Sequence, residues 1–585
     1  MRTTLLVLGL LTTLPLIAAA QPPDGGRPAP GGGPGQRQFP PRDAIAGEAP
    51  RGTAVIRGTV VAADNGSPIR RAQVRIGGQG AAGRLATTDA QGRFEIRDLP
   101  GGRYTLSAAK GGFVSVQYGQ RRPSESGTPL EIGEGQTFEK IVIALPRGSV
   151  ISGRITDEFG EPVANAVVTS LRYAYASGAR RLMPAGGQNS RDTTDDQGQF
   201  RLFGLSPGDY IVSASFRSGG GEATDPSGEN TGYAPTYYPG TPSVGDAQRV
   251  TVALGQEQTS VIFSLIATRL VRVTGAVLNS QGTPVMAGSV ILTPAASRAS
   301  AMGPNTQLAG RIDGSGQFRV TNVPPGRYVA QVRSQGGRGG PAARVATAAT
   351  AEFGRQEITV GAEDLDGVVI LTGPGARITG QVVSETGVPP SIRAQQVTVM
   401  ARPVALDPSA PDTGGAGRVN DDFTFELNGV FEPRVFRVNA PQGWTLKAVV
   451  LNGQDITDTP LDVPPGQTVS GLQIVITEQA TDVSGRVTDA RGAPITDVTV
   501  VIFPADDNKW IFQSRFIRAA RPDQDGRFQI RGLPPSDDYL AIAVQGVEDG
   551  QAGDPEFLET IHEHAAKFRL GEGETRALHL RFAVP

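Results

Sequence analysis

The 585-residue chain has no cysteine, which excludes disulfides, Cys-ligated zinc, iron–sulfur clusters, thiol nucleophiles and an acylated lipoprotein cysteine. Packing alone must stabilise whatever folds. Histidine is almost as scarce: His562, His564 and His579 are the only three, all within the last 25 residues. No His general base or ligand exists before Ile561, so serine-hydrolase chemistry lacks its parts over almost the whole chain. Five lysines stand against fifty arginines, which limits any chemistry that needs an amine. Charged residues make up only 19% and balance to −2, so the electrostatic footprint of a nucleic-acid or anionic-membrane binder is missing. Beyond the N-terminal segment no apolar run approaches the roughly 20 residues of a spanning helix. What is abundant is glycine, at 77, and proline, at 45, beside 38% hydrophobic residues; that mixture favours turn-rich β structure over long helices.

Arg2, the apolar stretch Leu5–Leu11 and the small-residue site Ala18-Ala19-Ala20 before Gln21 read as a cleaved signal peptide over residues 1–20. Residues 21–52, rich in Pro and Gly and without apolar pattern, are expected to form a disordered leader. The remaining length is too great for one core, and it repeats. Five openings carry a Gly inside an alternating apolar run: Val55–Val60, Val150–Ile155, Val273–Val277, Ile378–Val382 and Val483–Val487. Such alternation marks strands. A Gly-x-Pro turn follows each, at Gly66, Gly160, Gly282, Gly387 and Gly492, and a second hydrophobic run follows the turn.

Asp-x-x-Gly-x-Phe then recurs at Asp89/Gly92/Phe94, Asp195/Gly198/Phe200, Asp313/Gly316/Phe318 and Asp523/Gly526/Phe528. Asp caps the turn, Gly takes the left-handed position, and Phe starts the next strand facing the core. A Pro/Gly corner comes next, with Tyr104, Tyr210, Tyr328 or Tyr539 just beyond it, placed to bury a ring and bond a nearby backbone group. Copy four departs, with Asn420-Asp421-Asp422-Phe423-Thr424-Phe425 for the hairpin and Phe431-Glu432-Pro433-Arg434-Val435-Phe436 for the corner.

This set of elements resembles the carboxypeptidase regulatory-like domain, a transthyretin-like seven-strand sandwich, and is similar to B-type repeats of bacterial collagen adhesins and to starch-binding-like folds. The resemblance covers about 530 residues and implies an all-β fold, a tandem array of about five seven-strand Greek-key β-sandwiches (prealbumin/Ig-like) in a bacterial exported protein. The expected divisions are 53–147, 148–268 with a Tyr/Gly-rich insertion, 269–374, 375–479 (degenerate) and 480–585. Linkers of a few residues, as at Leu145–Ile151, suggest a semi-rigid string, an extended rod of the order of 150 Å.

The resembled module is the non-catalytic neighbour of zinc carboxypeptidases, and the histidine count excludes the peptidase itself. His562-Glu563-His564 reads as part of a short acidic helix beginning near Asp554, where residues two apart diverge; a metal site with His579 is not expected. Asp195-Asp196, Asp421-Asp422 and Asp506-Asp507 sit at turn signals and read as caps, and Asp523-Gln524-Asp525-Gly526 lacks the Glu spacing of a calcium loop. Lys110, Lys140, Lys447, Lys509 and Lys567 are poorly placed for isopeptide stapling. Trp444 and Trp510 are read as packing residues.

The candidate ligand site is the copy-two insertion after Gly219-Gly220-Gly221, where Tyr233, Tyr237 and Tyr238 could stack on sugar rings or could cover their own sandwich. No catalytic residue, cofactor or metal is expected. The function expected is a non-enzymatic exported scaffold or binding protein of the periplasm or cell surface, holding a polysaccharide or another surface or exported protein. The alternatives are a carbohydrate-binding protein and an accessory subunit of an exported enzyme or outer-membrane transporter.

Overall fold

In the opening strand Ala54–Ala62, the apolar residues Ala54, Ile56, Val60 and Ala62 face inward and charged or polar ones outward. That strand lies at the centre of a three-strand sheet. It pairs antiparallel with Arg93–Leu99, which the Asp-x-x-Gly-x-Phe turn launches, and parallel with the repeat's last strand, Thr137–Leu145. The same plan recurs four times. Ser149–Thr156 pairs parallel with Glu257–Ser264, Val271–Leu278 with Leu365–Leu371, Ala376–Ser384 with Thr468–Thr477, and Asp482–Thr488 with Thr575–Arg581. The second hydrophobic run and the strand after the corner form the facing sheet, as Gln73–Gly78 with Gly102–Ala109 and Leu85–Thr87.

These coordinates are a computed structural model, and they describe residues 52–582 apart from 79–83, 123, 177, 187–189, 217–230, 296–307, 334–351, 388–389, 405–415, 442 and 512. The expected signal peptide, nearly all of the leader and the Gly219–Gly221 stretch lie outside the described residues. The fold is the all-β tandem array of sandwiches, and each sandwich fills its own apolar cluster: from Ala54 to Leu145, Ile151 to Leu265, Val271 to Ile370, Ala376 to Ile476 and Val483 to Leu580. Copy four adds Thr445–Leu451 as an antiparallel neighbour of its last strand. Copy five differs on its second sheet, where Thr499–Pro504 is buried on both faces because an extra cluster of Trp510, Leu558 and Ile561 covers the outside. Its unbroken apolar run is what a doubly covered strand requires.

The mid-strand glycine of each opening has a steric cause. A Cβ on Gly58 would lie 2.5 Å from the Ile141 carbonyl oxygen of the parallel last strand and 2.8 Å from the Phe94 ring. Gly153, Gly275, Gly380 and Gly485 face the carbonyls of Val261, Val368, Leu472 and Leu578 in the same way. The pairing register shifts at this point in the first four copies, and the Phe of the hairpin motif closes over the gap in copies one, three, four and five.

The extended rod does not form. Pro50–Pro585 is one compact unit, in which the fifth sandwich returns to pack against the first. Linker length fixes only neighbouring copies. The return contact joins residues more than 400 positions apart: the Arg103 guanidinium, from the strand Gly102–Ala109, donates to the Arg521 carbonyl at 2.6 Å, and the Asp549 amide donates to the Ser124 carbonyl at 2.7 Å.

Candidate functional site

The hairpin carboxylates act on their own backbones. Asp89 Oδ1 accepts from the Gln91 and Arg93 amides at 2.9 and 2.8 Å, Asp195 from Gln197 and Gln199 at 3.0 and 2.7 Å, and Asp523 from Asp525 and Arg527 at 2.9 and 2.8 Å. The Arg93 amide and guanidinium hold Asp89 below the usual carboxylate range, and bonds from Ser315 and Gln317 do the same for Asp313. Because these folded-state pKa values are lowered, the stability they contribute is present above the ordinary Asp pKa of about 3.9 and is lost as acid protonates them. Asp422 and Asp506 are also turn caps, bonding the Thr424 and Asn508 amides. Among the described residues no three of His, Asp and Glu converge as a metal site would require.

The corner tyrosines are structural. Tyr104, Tyr210, Tyr328 and Tyr539 bury their rings, and their hydroxyls donate to the carbonyls of Pro100, Ser206, Pro324 and Pro534 at 2.6, 2.5, 2.8 and 2.8 Å. Burial pushes the Tyr328 hydroxyl up to about 12, so it stays a donor. In copy four the register reveals a substitute that motif reading missed. Tyr328 lies opposite Pro294 and Tyr539 opposite Pro504, and the residue opposite Pro403 is Arg434. Only 4% exposed, Arg434 sends its Nε–H to the Phe431 carbonyl at 2.9 Å, the bond the tyrosine hydroxyl makes elsewhere. Arg434→Ala is expected to destabilise the chain by about 2–4 kcal/mol, through a cavity and an orphaned carbonyl. Arg434→Tyr should recover most of that loss in a urea melt; recovery no better than alanine would contradict the equivalence.

Tyr233, Tyr237 and Tyr238 serve two separate clusters. Tyr233 packs edge-on to Phe216 at 5.9 Å, and Tyr238 edge-on to Phe263 at 5.9 Å, both against the main core of sandwich two. Tyr237, in the short strand Thr236–Tyr237, lies with Leu171, Leu182 and Ile211 instead. Burial, then the nearby Glu158 carboxylate, push the Tyr233 hydroxyl up to about 12. All three rings are partly buried against their own sandwich. Trp510 is buried, with its indole N–H on the Pro504 carbonyl at 2.8 Å, and Trp444 is half-buried on the fourth core. The expected short helix runs Pro555–Ile561, and His562 Nδ1 lies 3.0 Å from the Glu559 carbonyl. His579 sits in the last strand, opposite Arg486.

The most unusual polar constellation joins sandwiches one and five. Glu125 and Arg521 approach to 3.6 Å with side chains 4% and 6% exposed; Arg122 also reaches Glu125 at 3.6 Å, and Asp497 takes Arg521 at 3.4 Å and Arg121 at 3.1 Å. Around it, Gln524 and Glu131 exchange two bonds of 3.1 Å, and Ser126 bonds Asp549. The arrangement can hold two sandwiches in one orientation. It contains no nucleophile paired with a base. Lys447 of copy four makes a second junction, to Glu572 of copy five, while Glu385 of its own copy holds it at 2.9 Å.

No curated protein matches the chain. Among solved structures it is similar to the TIE protein of Bacillus anthracis, with 11% identity, 73% of each chain covered and a TM-score of 0.15. A minor pilin of Streptococcus agalactiae matches with 14% identity over 36% of this chain and 95% of that one, at a TM-score of 0.20. A putative carbohydrate binding protein from Pseudomonas aeruginosa matches with 14% identity over 17% of this chain and 87% of that one, at 0.12. The family model of the carboxypeptidase regulatory-like domain matches residues 55–145, 150–259 and 482–577, more than half of the chain. By that match, and by the strand plan its copies share, the chain belongs to the carboxypeptidase regulatory-like domain family.

Proposed function

We propose that the chain is a non-enzymatic exported scaffold of the bacterial periplasm or cell surface, divided as 53–147, 148–268, 269–374, 375–479 and 480–585, that holds its sandwiches in a fixed arrangement for partner loops or polymers to engage. The observation that carries this reading is the desolvated Arg521–Glu125 contact between the first and fifth sandwiches. A string of independent modules has no use for a buried ion pair between its ends, whereas a body that must present several surfaces together does. Residues 1–20, with Arg2, Leu5–Leu11 and Ala18–Ala20, supply the export signal in this reading.

Expression of the full chain in a bacterial host, followed by fractionation and intact mass, tests the export half. The expected product is outside the cytoplasm and begins at Gln21. A full-length, cytoplasmic product would overturn it. A sugar-binding role for Tyr233, Tyr237 and Tyr238 has less support, because the three rings are spent on two clusters of their own sandwich. Glycan-array binding by the chain, abolished in the triple alanine variant without loss of stability, would restore it.

A further inference from the structure

Between the first and second sandwiches lies a cleft of about 860 Å³, within the roughly 300–1,000 Å³ of small-molecule sites. Among the described residues its lining is charged with one sign only: Arg71, Lys110, Arg121, Arg122 and Arg172 contribute to its walls, and no described Asp or Glu does. In a chain whose net charge is −2, five converging cations are not a consequence of composition. Arg121 and Arg122 already have carboxylates, in Asp497 and Glu125. Arg71, Lys110 and Arg172 have no carboxylate partner among the described residues; Lys110 Nζ reaches only the Arg71 carbonyl at 3.4 Å, and Arg172 bonds the Tyr210 hydroxyl.

The walls are held in place. The Val114 amide donates to the Pro146 carbonyl at 2.9 Å and the Gly148 amide to the Gly112 carbonyl at 3.1 Å, so the loop carrying Lys110 is stitched to the linker between the two sandwiches. Arg147 of that linker is in turn fixed to Asp64 at 2.6 Å. Apolar surface completes the cleft: Phe113 and Phe203 are half-buried, and Leu254 is 54% exposed. Focused positive charge draws in an anion, while aromatic and aliphatic faces suit the C–H faces of sugar rings. Arginine forks match carboxylates bidentately.

We infer that this cleft binds an acidic oligosaccharide, its carboxylates on Arg71, Lys110 and Arg172 and its ring faces on Phe113 and Phe203. The site is separate from Tyr233, Tyr237 and Tyr238 and does not depend on the scaffold reading. Calorimetric titration of the full chain with hexagalacturonate, maltohexaose and inorganic sulfate, in low-salt buffer, tests it. Hexagalacturonate should bind and weaken as salt is added, and maltohexaose should not bind. Arg71→Gln with Lys110→Gln should weaken hexagalacturonate at least tenfold at an unchanged melting temperature, since Arg71 is exposed and neither side chain belongs to a core cluster. Arg311→Gln with Arg319→Gln, on the third sandwich, should change nothing. No binding, equal loss in the control pair, or affinity unchanged in the double variant would each overturn the assignment. Sulfate binding as tightly as hexagalacturonate would overturn the oligosaccharide and leave a small-anion site.

Discussion

Gly153→Val is expected to cost at least about 3 kcal/mol and to unfold the second sandwich ahead of the others, because its side chain would enter space held by the Val261 carbonyl of the parallel last strand. That neighbour cannot yield. The carbonyl belongs to the central pairing of the sheet, and a shift there disturbs the register of every bond beyond it. Gly282→Ala is the informative comparison: that turn glycine sits at φ +75° with nothing near the added methyl, so only the left-handed penalty of about 1–2 kcal/mol applies. Denaturant unfolding of both variants separates close approach from backbone conformation. If Gly153→Val were no worse than Gly282→Ala, the steric account of the recurrent glycine would fail, and with it the explanation of Gly58, Gly275, Gly380 and Gly485.

Arg521→Ala carries the second large effect. Removing it strips Glu125 of its fifth-sandwich partner and leaves a carboxylate in a nearly dry interface with Arg122 alone, a loss of about 3–5 kcal/mol by the behaviour of buried pairs broken on one side. The loss falls on docking rather than folding. Glu125 belongs to none of the five sandwich cores, and the strand pairs that define sandwiches one and five do not involve Arg521. Calorimetry should therefore show the transition of the wild-type chain broaden or split, while far-UV circular dichroism at room temperature is unchanged. Arg521→Ala combined with Glu125→Ala should cost less than the sum of the two single changes, since the second removes the stranded charge. Simple additivity, or a wild-type melting curve for Arg521→Ala, would contradict a stabilising clasp.

Much of each sandwich was legible because its signals are local. Alternation at Val55–Val60, a positive-φ glycine at Gly66, Gly160, Gly282, Gly387 and Gly492, and Asp capping at Asp89 or Asp195 all act within a few residues. The corner tyrosines were equally plain, since ring and carbonyl are four or five positions apart. Arg434 was hidden for a different reason: the strand-pairing register, not spacing from a motif, makes it the counterpart of Tyr328. A further device went unread in Thr88 and Thr194, just before the capping Asp. Each buries a hydroxyl that donates to the Ile69 or Val163 carbonyl, at 2.6 or 2.7 Å, and accepts from the Ala72 or Ala166 amide at 2.8 Å.

The clasp and the cleft could not be read at all. Glu125 and Arg521 are ordinary charged residues whose partners lie in another sandwich, and no periodicity links positions so far apart. Arg71, Lys110 and Arg172 come from separate loops and strands of two sandwiches, and only the fold brings them to one wall. The expected rod failed on the same point, because linker length constrains consecutive copies and says nothing about copies one and five.

The absence of cysteine allows a direct test of that arrangement. Ser126 and Asp549, which hydrogen-bond across the junction, can be replaced together as Ser126→Cys and Asp549→Cys and the full chain oxidised at high dilution. The account predicts a rapid intramolecular crosslink, seen as a gel-mobility shift that reverses on reduction and does not depend on protein concentration, whereas Ser126→Cys with Arg319→Cys stays uncrosslinked. A pair that remained reduced, or that joined only between molecules, would show that the first and fifth sandwiches do not meet.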